Sequence, residues 1–314
     1  MHPAALASTP GLPPQPQVNI SHANSRVSAV LPTGESVEVL LFGATVISWK
    51  DRAGNEKLWL SDAAKLDGSK AVRGGIPLVF PVFGTAPDHA ATSKLPQHGF
   101  ARNSKWEFLG KSSSESASST SHSDASVKLD FGLSSATLDE KTKGLWPYTF
   151  SAIYSVTLTP EGLSTGIVIT NDGKEPFDCQ VLLHTYLRIN DITKVKITGL
   201  EDSKYIDKVV GAQTKSQSGA VTITGETDRV YTPAKGPSSP VVVTEGGSNA
   251  FSIMRDNLKD VVVWNPWAEK AAGMGDFEPK SGFKNMICVE AGSVRSWTSL
   301  ETGDAFEGAQ TLSY

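Results

Sequence analysis

Two residues in this chain have the chemistry of a proton-transfer couple. His184 sits at the centre of the segment FDCQVLLHTYLRI, residues 177–189. In an extended chain, side chains alternate between two faces. Phe177, Cys179, Val181, Leu183, Thr185, Leu187 and Ile189 therefore share one face, which reads as core. Asp178, Gln180, Leu182, His184, Tyr186 and Arg188 share the other, which is unusually polar for so apolar a segment. In NMICVEAG, residues 285–292, Ile287 and Val289 share one face and Cys288 and Glu290 the other. Glu290 beside Ala-Gly reads as a carboxylate at a strand end, facing a cleft. An imidazole can give up a proton near neutral pH and a carboxylate can accept one. Taken singly, each residue has a plainer reading: a satisfied sheet histidine and an exposed strand-end acid. Spacing alone does not bring them together. If they meet, they suit a reaction that adds one proton while removing another, such as the opening of a hemiacetal ring.

Other residues could recognise an anion or a sugar. In KAVRGGIPLVFPVFG, residues 70–84, Arg73 precedes Gly74 and Gly75. Glycines let a backbone approach a ligand closely, and arginine can fork onto phosphate. A tight turn with a surface arginine is the plainer alternative, and no Gly-Lys-Ser/Thr ending marks a P-loop. In LPQHGFARNSKW, residues 95–106, Gln97, His98 and Arg102 lie beside Phe100 and Trp106. Aromatic faces stack on a pyranose and charged donors take a phosphate; an ordinary loop is the alternative. GETDRVY, residues 225–231, offers Asp228 to sugar hydroxyls, while Arg229 can pair with a nearby carboxylate. VVVWNPW, residues 261–267, offers Trp264 and Trp267 as either a sugar-stacking wall or core corners.

The elements that must hold these groups are strands. From about residue 25 onward, segments such as RVSAVL, SVEVLLFG, ATVISW, VKLDFGL, YTFSAIYSVTLT, LSTGIVIT and DVVVWN are rich in β-branched and aromatic residues, with turn residues between them. No apolar stripe at helical spacing persists over ten or more residues, which disfavours a doubly wound α/β fold. The expectation is all-β: large antiparallel sheets packed face to face in a β-sandwich. Residues 1–19 read as a disordered Pro-rich tail and residues 20–314 as one domain. The Ser-rich stretch 111–126 reads as a flexible hairpin loop inserted into a sheet.

Composition narrows the partners. The 314 residues carry a formal net charge of −4, so no basic field exists to hold nucleic acid. No run of 18 or more apolar residues suggests a membrane span. The first residues lack the basic and apolar regions of a signal peptide. Cys179 and Cys288 are the only cysteines, too few for a disulfide framework or a four-thiolate zinc site. A reduced, cytoplasmic monomer is expected.

VRGGIPLVFPVFG, QHGFAR, LLHTYLRI, ETDRVY, VVWNPW and CVEAG occur in this order over about 220 residues. The set resembles the aldose 1-epimerase (galactose mutarotase-like) superfamily and looks most like its glucose-6-phosphate 1-epimerase branch. The resemblance implies a β-supersandwich that needs no metal or organic cofactor and a hexose 6-phosphate substrate whose α and β anomers it interconverts. It implies His184 as general acid and Glu290 as general base. It implies Arg73, Gln97 and Arg102 as substrate and phosphate contacts and Asp228 as a sugar-hydroxyl contact; His98 belongs to the same motif. A free-aldose mutarotase, a non-catalytic sugar binder on the same scaffold and a two-carboxylate glycosidase are the rivals.

Overall fold

The computed structural model describes residues 15–113 and 125–314. Three sheets make up the architecture, and every ladder between named strands is antiparallel. A nine-stranded sheet runs in the order Val221–Thr222, Val195–Thr198, Val241–Glu245, Ser248–Asp256, Ala305–Ser313, Gly162–Asn171, Phe150–Thr159, Val127–Ser134, Glu107–Ser113. An eight-stranded sheet runs Gln213–Ser216, Lys204–Asp207, Thr227–Thr232, Asp260–Asn265, Met286–Leu300, Phe177–Leu183, Leu78–Val79. Its eighth strand, Tyr186–Arg188, also pairs with Met286–Leu300. A four-stranded meander covers Gln17–Ser21 to Thr45–Lys50. The expectation of a large antiparallel β-sandwich holds. Among the described residues helices are short, the longest being Trp267–Gly273. No helix among the described residues is long and apolar enough to cross a membrane.

The alternation predicted for each strand is what builds the layers. Val127, Leu129, Phe131 and Leu133 point inward from the nine-stranded sheet, as do Tyr154, Val156, Ile167 and Ile169. They meet Cys179, Val181, Leu183, Ile287, Val289 and Ala291 from the eight-stranded sheet in one continuous apolar cluster. The opposite face of the eight-stranded sheet has its own cluster, which includes Leu182, Tyr186, Trp264 and Cys288. This second face carries the polar residues of interest.

Two details differ from the sequence reading. The strand Gln17–Ser21 starts inside the stretch expected as a tail and pairs with Arg26–Val30; residues 1–14 lie outside the described residues. Glu290 does not end its strand. Met286–Leu300 continues for ten residues beyond it, and at Gly292 a Cβ would stand 2.9 Å from that of Leu182. Gly74 and Gly75 meet close backbone neighbours, which favours the plainer of the two readings open from sequence. A Cβ at Gly75 would lie 2.1 Å from the Val46 carbonyl, and one at Gly74 2.5 Å from that of Trp59. Glu107–Ser113 and Val127–Ser134 pair antiparallel, as the flanks of a hairpin should; residues 114–124 of the Ser-rich stretch lie outside the described residues.

Candidate active site

The segment around His184 is a broken strand. The Thr185 N–H donates to the Leu183 carbonyl at 2.9 Å, closing a three-residue turn. Pairing stops at Leu183 and resumes at Tyr186. The His184 N–H is satisfied instead by the Pro77 carbonyl at 3.0 Å. Thr185 turns inward, where Gln310 donates to its hydroxyl at 2.9 Å from the other sheet. His184 turns the opposite way. Its ring stacks on Tyr186 with centroids 4.7 Å apart, and Trp264 meets its edge.

Register brings in the acid. Leu183 pairs with Ala291, which places His184 beside Glu290 on the same face. His184 Nδ1 lies 3.3 Å from Glu290 Oε1, and both residues are buried. Among the described residues, neither His184 Nδ1 nor Glu290 Oε2 has a hydrogen-bond partner. Burial governs both groups. It pushes the Glu290 carboxyl well above its ordinary value, with nearby Asp228 adding to the effect, and pushes the His184 imidazole well below its own. Charge on either partner is disfavoured, so the pair holds one proton between them over a wide pH range.

The couple opens onto a cavity of about 210 Å³. Of the residues singled out from sequence, Arg73, Gln97, His98, His184, Asp228, Trp264 and Glu290 all line it. His98 has a fixed orientation. Its N–H donates to the Gly84 carbonyl at 2.7 Å, and its Nδ1 accepts from the Gly84 N–H at 3.1 Å. Burial, with Arg102 and Lys208 nearby, pushes its imidazole down to about 2. His98 is therefore a neutral imidazole whose Nε2 carries the hydrogen, a donor without charge. Asp228 pairs loosely with Lys208, at 3.8 Å, and burial raises its carboxyl.

Arg73 is held in place by Asp276. The guanidinium Nε and Nη2 lie 3.3 and 3.4 Å from the two carboxylate oxygens, and Nη1 donates to the Tyr186 hydroxyl at 3.2 Å. Burial alone would raise the Asp276 carboxyl; ion pairs with Lys70 and Arg73 outweigh it and hold it below its ordinary value. Arg102 differs from the expectation. It is not among the cavity-lining residues but stands behind Gln97, whose carbonyl accepts from its Nη2 at 2.9 Å. Its Nε is buried without a hydrogen-bond partner, and it makes no ion pair among the described residues. Burial, together with repulsion from Arg73, pushes its guanidinium down to about 10.

Sequence reasoning missed several participants. Lys208 lines the cavity with its Nζ over the Phe83 ring at 4.6 Å, and Asp276 orients Arg73. Both come from turns with no distinguishing pattern. Met274 and Lys270 enter from the short helix Trp267–Gly273 and its end. Trp267 is not in the cavity wall; it packs on Phe283. Arg229 pairs with Asp207 at 3.6 Å, the structural role open to it from sequence.

Comparison with known proteins shows the family. Residues 27–313 match the family model described as aldose 1-epimerase. A Cenchrus ciliaris protein named "Putative glucose-6-phosphate 1-epimerase" is 34% identical over 88% of this chain and 80% of its own. An Escherichia coli protein of the same name is 36% identical over 80% and 77%. The crystal structure of a "putative mutarotase" from Salmonella typhimurium superposes with a TM-score of 0.77 at 28% identity, covering 98% of this chain and 96% of the other. A sheet face that carries an imidazole and a carboxylate into one cavity, on a fold and sequence shared across nearly the whole chain, makes this protein a member of the aldose 1-epimerase family.

Proposed function

We propose that the chain interconverts the α and β anomers of hexose 6-phosphates, with His184 and Glu290 as the acid/base couple. The observation that supports this most directly is the 3.3 Å approach of His184 Nδ1 to the Glu290 carboxylate in the wall of a cavity that Arg73 also lines. The pair acts with its single proton on the imidazole. Glu290 takes the proton of the anomeric hydroxyl while His184 protonates the ring oxygen. The ring C–O bond breaks to give the open-chain aldehyde. At that point the pair is a neutral acid beside a neutral imidazole, the state that burial favours. Rotation of the carbonyl and the reverse transfers close the ring as the other anomer. His98, as a neutral donor, and Asp228, as an acceptor, hold hydroxyls without adding a competing base. Trp264 supplies an apolar wall for the pyranose.

The phosphate preference rests on Arg73 and Arg102. Two guanidiniums close enough to repel each other, with only Arg73 held by an acid, leave positive charge over for a dianion. The names of the relatives agree with this reading. The test is polarimetric. Freshly dissolved α-glucose 6-phosphate should relax to equilibrium much faster with the protein than without it, and glucose should be accelerated less. Relaxation at the spontaneous rate for both sugars would leave a sugar-binding protein in its place, and equal acceleration a free-aldose mutarotase.

A further inference from the structure

We propose that His184, Cys288 and Glu290 form a binding site for a thiophilic divalent cation such as Zn²⁺, whose occupation turns the acid/base couple off. One ligand atom from each residue lies within 4.8 Å of the other two, and all three residues are buried. In a tetrahedral site with bonds of about 2.0–2.3 Å, neighbouring ligand atoms stand roughly 3.3–3.8 Å apart. His184 Nδ1 and Glu290 Oε1 already have that spacing, at 3.3 Å. Cys288 and Glu290 are alternate residues of one strand, so both side chains leave the same face of the sheet. Tyr186 and Trp264, the strand partners of Cys288 on either side, belong with it to the apolar cluster of that face. A cation would replace the proton the pair shares, and among the described residues no other hydrogen bond to His184 Nδ1 or Glu290 Oε2 competes for those atoms. One nitrogen, one sulfur and one oxygen donor suit Zn²⁺ or Co²⁺ over Mg²⁺ or Ca²⁺.

The same surroundings make this an inhibitory site and not that of a resident cofactor. Arg73 and Lys208 line the cavity, which opposes a further cation. The ligand forms are a thiolate, a carboxylate and an imidazole lone pair, so the Cys288 thiol proton and the single proton of the His184–Glu290 pair must both leave as the metal bonds form. Binding therefore strengthens as pH rises. Once bound, the metal takes the imidazole lone pair and the carboxylate oxygen that proton transfer needs, and competes with the sugar.

The inhibitory half of the proposal rests on the acid/base reading above; the binding half does not. Titration of the full chain with Co²⁺ tests binding by absorption. A near-ultraviolet sulfur-to-cobalt charge-transfer band is expected in the wild type and absent in Cys288→Ala. Cys179, the other thiol, lies in the core between the sheets, so the band reports on Cys288. His184→Ala, read only by this spectrum, should bind Co²⁺ at least tenfold more weakly, which keeps the test intact should Cys288→Ala not fold. In rate measurements, Cys288→Ala should anomerise glucose 6-phosphate like the wild type yet need at least tenfold more Zn²⁺ for half inhibition. No sulfur band in the wild type, or equal Zn²⁺ sensitivity in Cys288→Ala, overturns the proposal. Failure to anomerise glucose 6-phosphate with the band present would refute the catalytic reading alone.

Discussion

His184 and Glu290 share one proton, and pH should expose this. Burial pushes the imidazole well below its ordinary 6.5 and the carboxyl well above its ordinary 4.5. The one-proton pair thus persists between a lowered first titration and a raised second one. The profile of kcat/KM should be a broad bell, with an acid limb below the usual imidazole range and an alkaline limb far above the usual carboxylate range. A single limb near pH 6.5 would contradict the pairing. His184→Ala and Glu290→Ala should each slow anomerisation by about 100- to 10,000-fold while leaving circular dichroism unchanged. Near-wild-type rates would remove the residue from the mechanism. Arg102→Ala should raise KM for glucose 6-phosphate more than for glucose, since the positive charge it places behind Gln97 favours a dianion over a neutral sugar. Equal effects on both sugars would take Arg102 out of the phosphate site.

At the scale of elements, the break between Leu183 and Tyr186 aims His184. Behind it, Gln310 and Thr185 form a buried polar tether between the two large sheets. Gln310→Leu keeps the volume and removes the tether. We expect kcat to fall about ten- to a hundredfold with KM little changed, because a displacement of about 1 Å is enough for such a loss. A rise in KM with kcat intact would make the tether merely structural. Most strands were legible from alternation alone, since one face of each large sheet is buried and the pattern has period two. The meeting of His184 with Glu290 was not legible, because it depends on register between segments about a hundred residues apart. The motif resemblance supplied it. Lys208 and Asp276 left no trace in the pattern: a turn lysine and a loop aspartate look alike whether they face solvent or a cavity. From sequence the glycines after Arg73 fit either a ligand cradle or a tight turn, and the structure uses them to relieve backbone crowding. Composition cannot distinguish those uses, as both demand the absence of a Cβ.

At the scale of the whole molecule, the site carries a cost in stability. His98 and His184 are buried with imidazoles held far below 6.5. The unfolded chain binds protons there and the folded chain does not. The stability they contribute is present above pH 6.5 and lost as pH falls from that value. Glu290 has the opposite sign: its folded carboxyl is raised, so its contribution is lost as pH rises above the ordinary carboxylate value. Glu290→Gln should therefore raise Tm at pH 7.5 while abolishing most activity, and the gain should shrink toward pH 4.5. An unchanged or lower Tm at pH 7.5 would mean that the buried carboxyl is not under strain. One apolar cluster draws residues from all three sheets, Val27, Val127 and Val181 among them. We propose that residues 20–314 form one folding unit, for which tryptophan fluorescence and far-ultraviolet circular dichroism should give coincident urea transitions.

The most direct measurement is exchange spectroscopy on equilibrated glucose 6-phosphate. Cross-peaks between the α and β anomeric protons should grow with protein concentration, far above the spontaneous rate, and vanish to that rate in His184→Ala and Glu290→Ala. Exchange at the spontaneous rate with the wild-type chain, or undiminished exchange in both variants, would contradict the account.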